Sequence, residues 1–473
     1  MGDKKGEHMK EYNFKAYEPR QLYILPPSIN EWVPDESLAR YVSDVVEHFE
    51  EEGKLKRFYE EYRDDGWGAW SYHPRMMVKV LLYAYCHGVT SSRKIAAALE
   101  DNVAFRYLSG NQQPDFRTVS DFRKQHLEGL KGLFVEILRL CQEAGLVKLG
   151  RVALDGRKVA CNAALSGNRT KEGLAKELKG LEKEILDLME EADCADAEED
   201  KLYGRENRGD ELPADLRNSE ERRKRLKEAY DRLEQKEQEE RGQQEKKIAE
   251  RAADESAKGC KKRGRKPKEP EEVVDHERKA NMTDPDSRIL KGRKGYIQGY
   301  NGQAIADCKS QVIVGQDVTQ DENDRKQLEP MLERCKEQAG RSPAELLADS
   351  GYWSEKNAAL ESEETELFIS TQKDWKQRKA IASLDAPRGR IPKSATVQEL
   401  MERKLLTQRG KSAYKQRGST IEPVFGQMSL RGLNRIWVRG IEMVKLEWSM
   451  WCGTHNLLKL WRSGRLSLAR AVT

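Results

Sequence analysis

The sequence has no run of about 18 apolar residues, the length a helix needs to span a bilayer, and this excludes a membrane-crossing helix. Met1 to Arg20 is charged and has no apolar stretch leading into small residues, so no secretory leader is expected. Closely spaced cysteine pairs are missing too. Cys86, Cys141, Cys161, Cys194, Cys260, Cys308, Cys335 and Cys452 are scattered, which argues against a structural zinc site and for reduced thiols. No internal repeat is evident, so a solenoid is not expected. What remains is a soluble chain of 473 residues, with 37% hydrophobic and 35% charged residues. That is too long for one ordinary core and polar enough to carry a large solvated segment.

The net charge of +4 averages over unequal regions. From Lys373 to Thr473 there are 21 Lys and Arg against 7 Asp and Glu, a candidate phosphate-binding face or simply a soluble surface.

Leu22 to Leu149 reads as all-helical. Pro74 suits a first helical turn. Met76, Met77, Val80, Leu81, Ala84 and Tyr85 then recur on one face, and His87-Gly88 stops the helix. A second helix follows Thr90-Ser91, and a third runs from about Thr118 to His126, carrying Arg117, Arg123 and Lys124 at or near its ends. Short helices with a basic last member suit either a helix-turn-helix entering a major groove or an ordinary bundle with surface arginines.

After Gly150 the pattern changes. Arg151 to Asp155 is a compact strand, Gly156 a turn, and Lys158 to Cys161 its continuation. Leu174, Leu178, Leu181, Ile185 and Leu188 then hold heptad spacing. Leu226, Tyr230 and Leu233 offer a partner helix for an antiparallel hairpin, and Glu234 to Lys258 is either one solvated helix or disordered. The basic run Cys260 to Lys268, with Arg263 and Arg265, is similar to a minor-groove AT-hook but reads more readily as a flexible basic linker. Strands are expected at Tyr296 to Ala306, Gln311 to Val318, Ala344 to Ala348 and Leu367 to Ser370, with a helix from Arg325 to Ala339. The expected organisation is a flexible stretch at 1–20 and an all-α N-terminal domain at 21–149. An α/β domain at 150–166 and 280–440 is split by a charged helical, coiled-coil insertion at 167–279, and a C-terminal helix covers 441–473.

Asp155 and Asp349 each close an apolar run and precede a glycine-containing segment, so two strands of one sheet would present two hard oxygen ligands. Each also fits a strand-end turn, and Asp349 a helix cap. Asp317, Asp321 and Asp324 compete for such roles, as strand-end and helix-entry residues or as recruits to a metal site. Trp437 and Trp375 suit either a core or stacking on unpaired bases.

Tyr414-Lys415-Gln416-Arg417, followed by Ser419-Thr420-Ile421-Glu422, resembles the C-terminal signature of the insertion-sequence DDE transposases. Val152 to Gly156 and Leu347 to Tyr352 resemble the family's first two catalytic motifs, and the similarity extends over most of Leu22 to Leu460. The resemblance implies an RNase H-like mixed sheet flanked by helices. Asp155, Asp349 and Glu422 would hold two Mg2+ ions (or Mn2+) for cleavage and joining of double-stranded DNA at terminal inverted repeats and target sites. It implies that Tyr414 and Arg417 grip DNA phosphates, that the protein works as a dimer or larger assembly, and that it resides in the cytoplasm on the bacterial nucleoid. The family's lysine seven positions after the glutamate is Ser429 here, with Arg431 two residues on as a candidate replacement. This departure admits a second reading, a non-catalytic DNA-binding regulator.

Overall fold

The computed structural model describes residues 28–60, 62, 71–186, 214–258, 266–273, 279–292, 295–372, 389–392 and 394–465. The expectations for Arg263, Arg265 and Trp375 lie outside them.

Among the described residues, seven α-helices open the chain: α1 (Ile29–Trp32), α2 (Leu38–Glu51), α3 (Pro74–Cys86), α4 (Ser92–Asp101), α5 (Val103–Leu108), α6 (Phe116–Gln125) and α7 (Leu127–Glu143). Their ends follow local chemistry. Ser37 accepts a hydrogen bond from the Arg40 amide at the start of α2, and Pro74 occupies the first turn of α3, where its missing N–H has no partner to lose. Helix α6 starts two residues before the expected Thr118, because the Asp115 carboxylate accepts from the Thr118 amide at 2.7 Å and caps the helix there.

Strand β1 (Arg151–Ala160) begins the sheet. An excursion follows: β2 (Asn168–Thr170), α8 (171–186), α9 (Ala214–Lys258), α10 (Pro270–Val273) and β3 (Lys279–Asn281). The chain then returns through β4 (Arg288–Gly292), β5 (Gly295–Asp307), β6 (Ile313–Thr319), α11 (Leu328–Ala339), β7 (Glu345–Ala348), α12 (Glu355–Ala358) and β8 (Glu366–Ile369). Helices α13 (Val397–Leu406), α14 (Gln408–Leu430) and α15 (Ile441–Ser463) complete it. The result is mixed α/β. The strands lie in the order β4-β5-β1-β7-β8, with β6 also on β5. β5 is antiparallel to β1, β4 and β6, while β1, β7 and β8 are parallel.

One expectation is overturned. Gly156 makes no turn, and β1 runs unbroken through it, because the long β5 pairs with it from Val152 to Ala160. Asp155 therefore sits mid-strand.

In the excursion, Leu174, Leu181 and Ile185 of α8 pack against Leu226, Ala229 and Leu233 of α9. The ion pair Lys171–Glu237 at one end and Glu182–Arg223 further along run in opposite chain directions, so the two helices are antiparallel. The charged stretch Glu234 to Lys258 continues α9 as a single helix.

The N-terminal helices share one continuous hydrophobic core with the sheet, joined through α15, which packs against α3 and α7. Polar groups are sealed into this junction. Arg431 is mostly buried, 5.2 Å from the Trp451 ring centre, and donates to Tyr85 O and Thr454 Oγ1. Glu447 is fully enclosed, and burial pushes its carboxyl up to about 7. The turn after α3 comes so close that a Cβ on Gly88 would lie 1.7 Å from the Arg431 carbonyl oxygen, and the Gly88 φ of +73° also favours glycine. Gly88→Ala is therefore expected to lower the melting temperature by several degrees and speed proteolysis between the helices and the sheet. A wild-type melt and digestion pattern would contradict this packing.

Candidate carboxylate site

The parallel pairing of β1 with β7 sets Arg151, Val152 and Ala153 against Glu345, Leu346 and Leu347. Carried two residues further, the same offset brings Asp155 level with Asp349, which follows the last residue of β7. The short apolar segments explain the placement. Val152, Ala153, Leu154 and Leu346, Leu347, Ala348 are fully buried, and the carboxylates emerge where that burial ends.

Asp349 is held by its own turn, with the Gly351 amide donating to its Oδ1 at 2.8 Å. A Cβ on Gly351 would lie 2.9 Å from that oxygen, so the turn closes tightly only with glycine. Tyr352 anchors the turn from below, fully buried.

Asp155 accepts from the Gly156 amide and, at 3.0 Å, from Nη1 of Arg417 on α14. The other arm of that guanidinium, Nη2, lies 3.8 Å from Glu422 Oε1. Arg417 thus spans two of the three expected carboxylates. Burial pushes the Asp155 carboxyl up to about 6; Arg417 opposes the shift and the Asp349 carboxylate adds to it.

Glu422 stands apart from the pair on α14, with its side chain 62% exposed. Among the described residues, no three acidic, imidazole or thiol side chains converge as they stand on one point that would hold a metal ion. Pro423, directly after Glu422, lacks the N–H that would bond to the Ser419 carbonyl. Gln311 Nε2 donates to that carbonyl instead, at 3.1 Å, so the helix continues. Arg157, also on β1, donates to Phe425 O and Leu433 O and ties the end of α14 to the sheet.

The remaining expected residues separate. Tyr414 lies on α14 one turn before Arg417, with a buried hydroxyl that has no hydrogen-bond partner among the described residues. Ser429 donates to the Phe425 carbonyl of its own helix at 2.7 Å. Arg431 does not supply the charge that Ser429 lacks, because its guanidinium lies inside the α3–α15 junction. Arg123 does not face solvent either. It is 6% exposed and donates to Tyr85 Oη, the Thr90 carbonyl and Ser92 Oγ, holding α6 against α3 and α4. The 3.6-residue period places it on the inner face of a helix whose exposed basic members are Arg117 and Lys124. Lys124 pairs with Asp121, and Arg117 lies beside the half-exposed ring of Phe116 together with Arg93. Trp437 is 55% exposed, with Arg435 over its ring, so it is not a core residue.

Of the competing acids, Asp317 pairs with Arg334 and Asp321 accepts from Gln327. Asp324 opens a short turn as expected, yet its carboxylate reaches the surroundings of the pair. It accepts from Asn301 Nδ2 at 2.7 Å and Gln303 Nε2 at 2.8 Å. Asn301 and Gln303 were not singled out from the sequence. The available signal was two polar residues, two apart, facing one way in a strand that is otherwise mostly apolar or glycine.

A transposase domain (DUF772) matches residues 27–125, and a transposase DDE domain matches residues 388–461. No curated protein and no solved structure matches the chain. The first match covers α1 to α6 and the second covers the helix bearing Tyr414, Arg417 and Glu422, so these two segments are similar to transposase domains. The two matches support an insertion-sequence DDE transposase family.

The raised pKa of Asp155 has a consequence for stability. Its folded value lies above the unfolded one, so the buried charge costs nothing at low pH and weakens the fold as pH rises from about 4 to about 6. Asp155→Asn is expected to raise the melting temperature at pH 8 by a few degrees and to change it little near pH 4. Thermal melts at the two pH values check this, and an equal shift at both would refute the burial argument.

Proposed function

We propose that the protein binds transposon ends and catalyses metal-dependent cleavage and strand transfer of double-stranded DNA by in-line displacement at phosphorus. The observation that carries this reading is the pair Asp155 and Asp349 on adjacent parallel strands, linked through Arg417 to Glu422. The strand order β6-β5-β1-β7-β8, with β5 alone antiparallel to its neighbours and β6 running the same way as the parallel trio, supports an RNase H-like catalytic domain.

The donor set fits hard divalent cations, since Asp155, Asp349 and Glu422 offer only carboxylate oxygens. It also carries charge that burial and mutual repulsion penalise, a penalty that a cation relieves. When bound there, a pair of Mg2+ ions activates the attacking hydroxyl and stabilises the leaving oxygen. Asp155 and Asp349 form the rigid part of the cradle and Glu422 the adjustable part. Arg417 holds Asp155 in place while the site carries no cation, and its planar fork suits a phosphate once that contact is released. Arg117, Lys124 and the half-exposed Phe116 form the DNA-facing side of α6, and two copies of the chain bring two DNA ends together.

Ser429 favours a second reading. Its hydroxyl is turned onto its own helix where the family has a lysine, and Arg431 is buried, as suits a DNA-binding regulator without cleavage activity. Incubating the protein with supercoiled donor DNA and Mg2+ separates the two. The transposase reading expects nicked and joined products that Asp155→Ala reduces at least a thousandfold; full cleavage by that variant would sink it. Arg117→Ala and Lys124→Ala are expected to weaken DNA binding and to flatten its salt dependence by about one unit of log-log slope each. Filter binding across a salt series measures this.

A further inference from the structure

We propose that Asp324 is a positioning residue for the carboxylate pair: clamped between Gly156 and Gly351, it sets the spacing of Asp155 and Asp349 for a divalent cation. The inference rests on the reading of those two carboxylates as cation ligands.

The clamp is visible from three sides. Asp324 Oδ1 lies 2.7 Å from where a Cβ on Gly156 would be, and Asp324 Oδ2 lies 3.5 Å from the corresponding point at Gly351. At Gly156 the Asp324 carboxylate therefore occupies space that only glycine leaves open, and at Gly351, the second residue after Asp349, it lies at ordinary contact distance. Asp349 Oδ1 borders the same point at Gly351, so the two acids approach each other there.

Side chains alternate along β1, which directs Asp155 and Gly156 to opposite faces. Gln303 lies directly across from Gly156, and Asn301 across from Lys158. Asp324 thus stands behind the strand, held by both amides, and acts on the pair through backbone and turn rather than as a neighbour of Asp155 itself.

The hold extends into the turn that carries Asp349. Gln303, which donates to Asp324, accepts from the buried Tyr352 hydroxyl through its Oε1. Asn357 Nδ2 makes a second tie, donating to the carbonyls of Arg325 at 2.7 Å and Tyr352 at 2.6 Å. The residues following Asp324 and Asp349 are thereby joined twice. Asn301 is fully buried, and its Nδ2 donates to Asp321 O and Asp324 Oδ1. That fixes the amide orientation and leaves its Oδ1 without a hydrogen-bond partner among the described residues, facing Gly156. A buried acceptor of this kind adds to the negative potential around the pair.

The test is Mn2+ binding by titration calorimetry on the full chain, with DNA cleavage measured against Mg2+ concentration. Asp324→Asn keeps the shape and removes the charge. It is expected to weaken Mn2+ binding about tenfold or more, as loss of a group that orients metal ligands does, and to raise the Mg2+ needed for half-maximal cleavage in parallel. The rate at saturating Mg2+ should recover to within a few-fold of wild type. Unchanged Mn2+ affinity overturns the proposal, and so does a rate that stays lost at saturating metal, which would make Asp324 a direct ligand. Tyr352→Phe removes only the far end of the hydrogen-bond chain and is expected to shift Mn2+ affinity in the same direction by a few-fold. If Asp324→Asn does not fold, this variant decides. Asp155→Ala and Asp349→Ala are measured alongside. If they bind Mn2+ like wild type, the cation-site reading fails and takes the proposal with it; if they lose binding while Asp324→Asn keeps it, the proposal alone fails.

Discussion

The pairing of β1 with β7 is the constraint on which the rest of the site depends. These two short strands run parallel, so residues far apart in the chain advance together, and Asp155 and Asp349 emerge at one level from the same buried sheet. A parallel pair needs a long crossover. Here the chain leaves β1 for the helical excursion, the β5–β6 hairpin and α11 before it returns. Close-packed apolar residues below both carboxylates hold them rigid, whereas Glu422 sits on a helix edge where solvent competes for it.

Charge around the pair is balanced by protein groups. Arg417 contacts Asp155 from one side, the Gly351 amide contacts Asp349, and the amides of Asn301 and Gln303 contact Asp324. Even so, Asp155 is left with a carboxyl harder to ionise than a solvated one, because burial outweighs its partner. A site that strains to keep its negative charge is poised to take up a cation. It is also less stable than an uncharged site of the same shape.

The helical N-terminal part is joined to the sheet by buried polar contacts as well as by apolar ones. Arg123 and Arg431 both carry charge into the junction with α3, each donating to Tyr85, one at its hydroxyl and one at its carbonyl. From the sequence, Arg123 is a candidate for a DNA-facing helix and Arg431 a candidate replacement for the family's lysine; burial removes both. A buried arginine that donates to fixed carbonyl and hydroxyl oxygens gives directional contacts that an apolar patch lacks, and this suits a junction that must hold one orientation.

The sequence by itself determined the local elements: the α3 helix from Pro74 to the Gly88 stop, the β5–β6 hairpin, and the helical pair around Leu174 and Leu226. Those depend on neighbours within a few residues, through periodicity, caps and turns. The Tyr414, Arg417 and Glu422 helix was legible through its motif. Tertiary structure alone decided which Asp faces which. It ran β1 straight through Gly156, buried Arg123 and Arg431, exposed Trp437, and brought Asp324 with Asn301 and Gln303 behind the carboxylates. The reason is physical. Burial and hydrogen-bond partners at those positions come from segments as distant as residues 85 and 431, and no local pattern encodes which distant surface will cover a given face.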